Sequence, residues 1–261
     1  MSEIDTEALW ALVRPHTGEQ HAIEPTRGNG SDVTALVKCE HGPVFVKACA
    51  NRPGGRRASI VRERLVNAAV RPVSPALRWH AENDDWIALG FDVVEGRSSN
   101  FGPESKDLHV VVTLLNRIAG LPLPSEASDW RESRWDRFAG DGEAALFEGE
   151  SLLFTDINPD NLMIGKTRAW AVDWSWPTRG AAFIDPACLV VQLIAAGHTP
   201  ESAEQWADSC KAWTDADTRA IDAFAAATAR MNRAFADRNP TASWLGAMAD
   251  AAQSWVDHRA R

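Results

Sequence analysis

Segments with the two-residue alternation and β-branched content of strands are gathered before residue 95, whereas helical spacing dominates after it. Val33 to Cys39, a Glu40-His41-Gly42-Pro43 turn and Val44-Phe45-Val46-Lys47-Ala48-Cys49 read as two antiparallel strands joined by a hairpin. Ala76 to His80 and Trp86 to Glu95 flank an Asn83-Asp84-Asp85 turn and give further strands. Two helices interrupt this part: a short one over residues 5–13, behind an Asp5 or Thr6 cap, and one over Ser59 to Val70, stopped by Pro72. Strands first and helices afterwards predict an α+β chain with a small antiparallel-sheet lobe and a larger helical lobe. The connector Glu95-Gly96-Arg97-Ser98-Ser99 divides it into residues 1–95 and residues 96–261.

In the second part, Leu108, Val111, Val112, Leu115 and Ile118 mark one face of a helix over Asp107 to Ala119, ended by Gly120 and Pro122. Ser151 to Ile164 breaks the helical pattern with two short apolar pieces around a polar loop, and Ala169 to Val172 is another short strand. Ala187 to Ala196 is apolar almost throughout and reads as a buried helix. Three amphipathic helices follow: one capped by Thr199 with Pro200 in its first turn, one from Thr214 or Asp215 to about Arg238, and one after Pro240.

The chain has 261 residues, 45% of them apolar, enough for a substantial core and well outside the range of disordered or collagen-like sequences. Thirty-six acidic residues against 27 basic ones give a net charge of −9, which removes the general electrostatic reason to bind nucleic acid or an anionic membrane. Cys39, Cys49, Cys188 and Cys210 have neither a metal-ligand spacing nor the density of a disulfide scaffold, so reduced thiols of a cytoplasmic protein are expected. The first residues lack the pattern of an export signal, and no apolar run approaches the ~20 residues that cross a bilayer.

The most informative stretch is Leu152-Leu153-Phe154-Thr155-Asp156-Ile157-Asn158-Pro159-Asp160-Asn161-Leu162-Met163-Ile164, followed by Ala171-Val172-Asp173-Trp174. An aspartate and an asparagine five residues apart sit on a loop between apolar pieces, and a further aspartate ends the next strand. Phosphoryl transfer from a nucleotide calls for such a set: one carboxylate to orient the acceptor hydroxyl and take its proton, and an amide oxygen and another carboxylate to hold magnesium.

These residues resemble the aminoglycoside phosphotransferases and related small-molecule kinases, which share the two-lobed fold of the protein kinases. The family's catalytic loop, H-G-D-x-x-x-x-N, is similar to Phe154-Thr155-Asp156 with Asn161; its metal aspartate to Val172-Asp173-Trp174; and a later D-P segment to Ile184-Asp185-Pro186. The resemblance implies Asp156 as catalytic base, Asn161 and Asp173 as magnesium ligands, and Lys47 paired with Glu63 on the α and β phosphates of ATP. It also implies a Gly-rich turn, Gly28-Asn29-Gly30-Ser31, over the phosphates, and backbone groups around Phe91 and Val93 receiving adenine. The acceptor would be a hydroxyl of an aminoglycoside, sugar, amino alcohol or related metabolite. Phe154 and Thr155 replace the family's histidine and glycine, and Gly28 to Ser31 departs from a kinase G-x-G-x-x-G. These departures are what an alternative reading, a catalytically silent nucleotide-binding or scaffolding protein, would rest on.

Structural readings stand beside the functional ones. Asp160 and Pro159 read as turn formers, and Gly28 and Gly30 serve a hairpin as well as a phosphate. Lys47, flanked by Val-Phe-Val, is expected in a strand buried on both faces, where Glu63 or a phosphate would meet its charge; Arg62 or Arg64 could instead be the partner of Glu63. Asp185 is expected to cap the helix after Pro186 and brace the catalytic loop, and Trp174 is set apart from the core tryptophans because it follows Asp173.

Overall fold

The computed structural model describes residues 6–26 and 31–261 and divides the chain into two compact units. One unit runs to Glu95 and takes in Val172–Trp176; the other comprises Gly96–Ala171 and Pro177–Arg261.

The first unit is built on five antiparallel strands in the order β1-β2-β3-β5-β4: β1 Gln20–Pro25, β2 Val33–Cys39, β3 Val44–Ala50, β4 Leu77–Glu82 and β5 Trp86–Phe91. Helix α1 is Thr6–Thr17 and α2 is Gly55–Val70. Strand β1 was not among the expected strands: its alternation is half-buried to exposed, as suits a sheet edge, and too few apolar residues face inward to mark it. Side chains alternate across β3, so Val46 and Ala48 join Leu9, Val13 and Val37 in one core cluster, while Cys49 joins Ile60, Ile87, Leu89 and Phe91 in another. The same parity puts Lys47 on the face shared with Cys49 and Ile60. On α2, Ile60, Glu63 and Asn67 fall at three- and four-residue intervals and are all buried, so Glu63 lies in the helix's buried stripe. Asn67 fixes the chain beyond α2, donating to Pro75 O at 2.9 Å and accepting from Leu77 N at 2.8 Å.

The second unit contains a three-stranded antiparallel sheet, β6 Gly96–Ser98, β8 Leu162–Gly165 and β9 Ala169–Ala171, in the order β6-β8-β9. The expected connector thus supplies a short strand in its own right. A separate antiparallel pair joins β7 Ser151–Leu153 to β10 Thr178–Gly180. Five principal helices complete the unit: α3 Asp107–Ala119, α4 Ile184–Ala195, α5 Pro200–Ala207, α7 Thr218–Arg238 and α8 Ser243–Arg259, with the single turn α6 Lys211–Thr214 ahead of α7. Thr199 caps α5 by accepting from Ser202 N at 3.1 Å, and Asp217 caps α7. Phe224 of α7 gathers Trp135, Phe147 and Phe183 at ring separations of 4.8, 5.5 and 5.8 Å, which accounts for several of the aromatic residues between α3 and α4. Among the described residues no helix is long and apolar enough to cross a membrane.

Gly90 of β5 is required by its neighbour: a Cβ there would stand 2.1 Å from Cε2 of Trp79, whose ring stacks on His16 at 4.9 Å. Gly90→Ala is expected to lower the stability by roughly 1–3 kcal/mol through overpacking, measurable as a lower urea midpoint at unchanged slope.

Candidate active site

The first unit holds a buried ion cluster around Lys47. Its side chain is 6% exposed, and Nζ lies 2.7 Å from Glu63 Oε2, 2.6 Å from Asp173 Oδ1 and 2.9 Å from Ser175 Oγ. Glu63 therefore pairs with Lys47 across β3 and α2. Burial alone would lower the Lys47 pKa, but the two carboxylates outweigh it and raise it. The Asp173 pKa is lowered, the opposing effect of burial being overcome by Lys47 and by hydrogen bonds from Ser175, whose hydroxyl also reaches Asp173 Oδ1. Glu63, fully enclosed, is pushed upward by burial and by the charge of Asp173. Asp173 itself has a left-handed backbone, φ 63°. Trp174 next to it is 2% exposed and packed in the core; the exposed tryptophan of this segment is Trp176, at 44%. The expectation for Trp174 is thus corrected: adjacency to Asp173 does not reveal which way the indole turns.

The second unit holds the loop between β7 and β8. Asp156 is exposed on it, and Asn161 is half-buried five residues later. Asn158 organises the turn: its Oδ1 accepts from Asp160 N and Asn161 N, both at 3.0 Å, and its Nδ2 donates to Asp156 Oδ1 at 3.0 Å. Asn161 Nδ2 donates to Asp156 O at 3.2 Å, so the oxygen is the atom of this amide that can accept. Asp160 accepts from Ser98 Oγ at 2.7 Å, a structural role within the turn.

Phe154 and Thr155 have distinct tasks in this loop. Phe154 is 2% exposed and fills core volume. Thr155 has φ 60°, a conformation that glycine adopts freely and a β-branched residue adopts at a cost of about 1–2 kcal/mol. Three contacts hold it there. Asp185 accepts from Thr155 N at 2.7 Å and from Phe154 N at 3.0 Å, the Thr155 hydroxyl donates to Phe154 O at 2.7 Å, and the Arg134 guanidinium reaches that hydroxyl. Arg134 is anchored by Glu132, with Nε at 3.0 and 3.1 Å from its two oxygens, and Thr178 donates to the same carboxylate at 2.7 Å. Arg134 keeps the Glu132 pKa low against the effect of burial.

Asp185 braces the loop as expected but does not cap α4. It lies inside the first turn with its carboxylate aimed at the two loop amides, and the residue before the helix, Phe183, makes no side-chain cap. Arg134 and Glu132 carried no sequence signal, since they lie in an irregular segment known only for its tryptophans. Ser175 could have been suspected only from standing two residues past Asp173.

The remaining sequence-derived candidates fall in several places. Phe91 is buried at the end of β5, and Val93 is half-buried in the stretch 92–95, which belongs to no strand. Gly28, Asn29 and Gly30 lie outside the described residues; Ser31 is half-buried just ahead of β2. All four cysteines are unpaired thiols. Among the described residues no three His, Cys, Asp or Glu side chains gather into a metal cage. Magnesium beside a nucleotide does not need one, because one or two protein oxygens suffice when phosphates and waters complete its shell. The Asp173 carboxylate in the first unit and, separately, the Asn161 amide in the second each present an oxygen of that chemical kind.

Beside Asp156 the second unit has a cavity of about 570 Å³, bounded by the Ser133–Arg137 segment, the loop residues Thr155 to Ile157 and helices α4, α7 and α8.

No family model matches the sequence, and no curated protein matches it. Solved structures do share its fold. The choline kinase LicA from Streptococcus pneumoniae superposes with a TM-score of 0.69 at 9% identity, over 97% of this chain and 98% of that one. The aminoglycoside phosphotransferase APH(3'')-Id from Streptomyces rimosus, in complex with ADP and streptomycin, gives 0.61 at 14% identity, over 95% and 99%. A macrolide 2'-phosphotransferase type I gives 0.59 at 16% identity, over 96% and 97%. The α+β fold of this chain is therefore that of the small-molecule phosphotransferases, along nearly its whole length.

Asp185 is fully enclosed, and burial raises its pKa to about 6 although the two loop amides oppose the rise. The folded chain holds this proton more tightly than the unfolded chain does. Ionisation therefore withdraws stability as pH rises from about 4 to about 6, by roughly 3 kcal/mol in all, and has no further effect above that. Urea unfolding of Asp185→Asn beside the wild type should show the wild type losing stability relative to the variant across that window, with a constant difference from pH 7 upward.

Proposed function

We propose that this chain is an ATP- and magnesium-dependent phosphotransferase acting on a hydroxyl of a small molecule. The observation that carries the reading is the buried Lys47, ion-paired at 2.7 Å to Glu63 and 2.6 Å to Asp173. A lysine so enclosed needs anions around it, and both partners are the residue types that nucleotide phosphates and their metal require. The fold shared with a choline kinase and with a phosphotransferase solved with ADP supports it.

In this reading residues 1–95 serve the nucleotide. Lys47, oriented by Glu63, meets the α and β phosphates, and backbone groups near Phe91 and Val93 receive the adenine. Residues 96–261 serve the acceptor. Asp156 accepts the proton of the attacking hydroxyl, and Asn158 holds its carboxylate in place by a 3.0 Å hydrogen bond. Asp173 and Asn161 are the oxygen donors for magnesium, which when bound neutralises the charge on the phosphates. Asp185 and Arg134 keep the backbone before Asp156 in its left-handed turn. Four free thiols and a net charge of −9 suit a reduced, cytoplasmic setting without nucleic acid as partner.

The test is ADP release from Mg-ATP with a panel of aminoglycosides, sugars and amino alcohols, for the wild type and Asp156→Asn. Stimulation by an acceptor is expected, with kcat falling roughly 10²–10⁴-fold in the variant while ATP affinity stays within about twofold. An Asp156→Asn protein that turns over as fast as the wild type would remove Asp156 from its role. A wild type that binds ATP but is stimulated by no acceptor would favour the silent nucleotide-binding reading.

A further inference from the structure

The backbone reaches Asp156 through a turn that the side chain at its apex resists. Asp156 N donates to Phe154 O at 2.8 Å, and Thr155 between them has φ 60°. A main-chain bond of that span around a residue of positive φ is the rare, strained form of the γ-turn. Glycine enters such a turn freely, and a β-branched residue does so only where its surroundings hold it. Asp185 supplies part of the hold. Its bonds go to the main-chain N–H groups of Phe154 and Thr155, however, and so are indifferent to the side chain at position 155.

The part of the hold that depends on threonine is the hydroxyl. Its proton goes to Phe154 O at 2.7 Å, the same carbonyl that accepts from Asp156 N, and its oxygen accepts from Arg134. Thr155 is 7% exposed, which leaves water little access to replace these bonds. Arg134 is a fixed point: its main-chain N donates to Glu132 Oε1 at 2.8 Å, its Nε lies 3.0 and 3.1 Å from the two oxygens of that carboxylate, and the Glu132 side chain is 1% exposed. The hold thus runs from a buried carboxylate through a guanidinium and a hydroxyl to the carbonyl on which the turn closes. Beyond the turn, Asn158 donates to the Asp156 carboxylate, so the residue is fixed from both sides.

We infer that Thr155 is a positioning residue for the transfer: its hydroxyl, caught by Arg134, keeps closed the strained turn that sets Asp156 beside the cavity. Its bearing on the rate rests on the phosphotransfer reading above; the hold on the turn does not. The hydroxyl is needed because of the branch beside it, and this inverts the usual order of substitutions. Thr155→Val, the closest in shape, keeps the branch and loses the hydroxyl. Thr155→Gly loses both, and Thr155→Ser sheds the branch while keeping the hydroxyl.

The experiment compares these three variants with the wild type in the full-length chain. Protection of the Asp156 amide against hydrogen exchange, read by NMR relative to the intrinsic rate of each sequence, should fall at least about tenfold in Thr155→Val. It should fall less in Thr155→Gly and Thr155→Ser, and the urea midpoint should be lowest in Thr155→Val. With Mg-ATP and streptomycin, glucose or choline as acceptor, kcat of Thr155→Val should lie at least about tenfold below the wild type and about threefold below Thr155→Gly, with both KM values within about twofold. Arg134→Lys should cost the wild type at least about threefold more in kcat than it costs Thr155→Gly, because glycine no longer needs the catch. A Thr155→Val protein as protected and as fast as the wild type would overturn the assignment. So would a Thr155→Gly protein no better than Thr155→Val, and a raised acceptor KM in both would give the hydroxyl to the acceptor instead. Failure of the two readings is separable. The expected order of protection and midpoint in a chain that releases no ADP with any acceptor counts against phosphoryl transfer and reduces Thr155 to a hold on the turn, whereas turnover without that order strikes the hold alone.

Discussion

An ammonium group enclosed in a sheet is tolerated only where its charge is met, and the first unit is arranged around meeting that of Lys47. The side chain is 6% exposed and sits between a carboxylate from α2 and another from the segment that returns to this unit at Val172–Trp176. Removing one partner of such a cluster typically costs 3–5 kcal/mol in other proteins, because the charge left behind is neither solvated nor paired. That penalty ties three distant pieces of sequence to one point. It also holds the Asp173 pKa down while burial raises that of Glu63, an asymmetry that suits one residue to a metal and the other to orienting the lysine.

The second unit meets a different constraint, a backbone turn that the residue at its apex does not favour. Thr155 holds a left-handed conformation because Asp185 captures two successive amides and Arg134, itself fixed by the buried Glu132, captures the hydroxyl. The resemblance expects glycine here, and φ 60° explains that preference; threonine is accommodated by a polar network in its place. The buried Phe154 similarly fills volume where the family has histidine. Asp156, next in the chain, is exposed beside the cavity.

What could be read from the sequence follows from how local each signal is. Lys47 and Glu63 were located by the order of elements that the resemblance implies, whereas the apolar spacing of α2 did not by itself show that Glu63 lies in the helix's buried stripe. Asp156 and Asn161 were legible because they share one short loop. Side-chain direction at Trp174 was not, because it depends on the left-handed turn at Asp173, which no pattern announces. Strand β1 stayed hidden because an edge strand that is mostly exposed needs few apolar residues. The Glu132–Arg134 support was invisible for a deeper reason: it lies 21 residues before Thr155, in a segment without regular structure, and only tertiary contact connects the two.

The central claim is that Asp173, held ionised beside Lys47, makes this chain a receptor for the metal-bound nucleotide. The most direct measurement is a thermal titration with ATP, with and without magnesium, on the wild type and Asp173→Ala together. A ligand that binds only the folded state adds about 2.7 kcal/mol of stability at a hundred times its Kd. The account predicts a magnesium-dependent rise in melting temperature for the wild type and the loss of that dependence in the variant. Equal responses in the two proteins, or no response of the wild type to millimolar Mg-ATP, would contradict it.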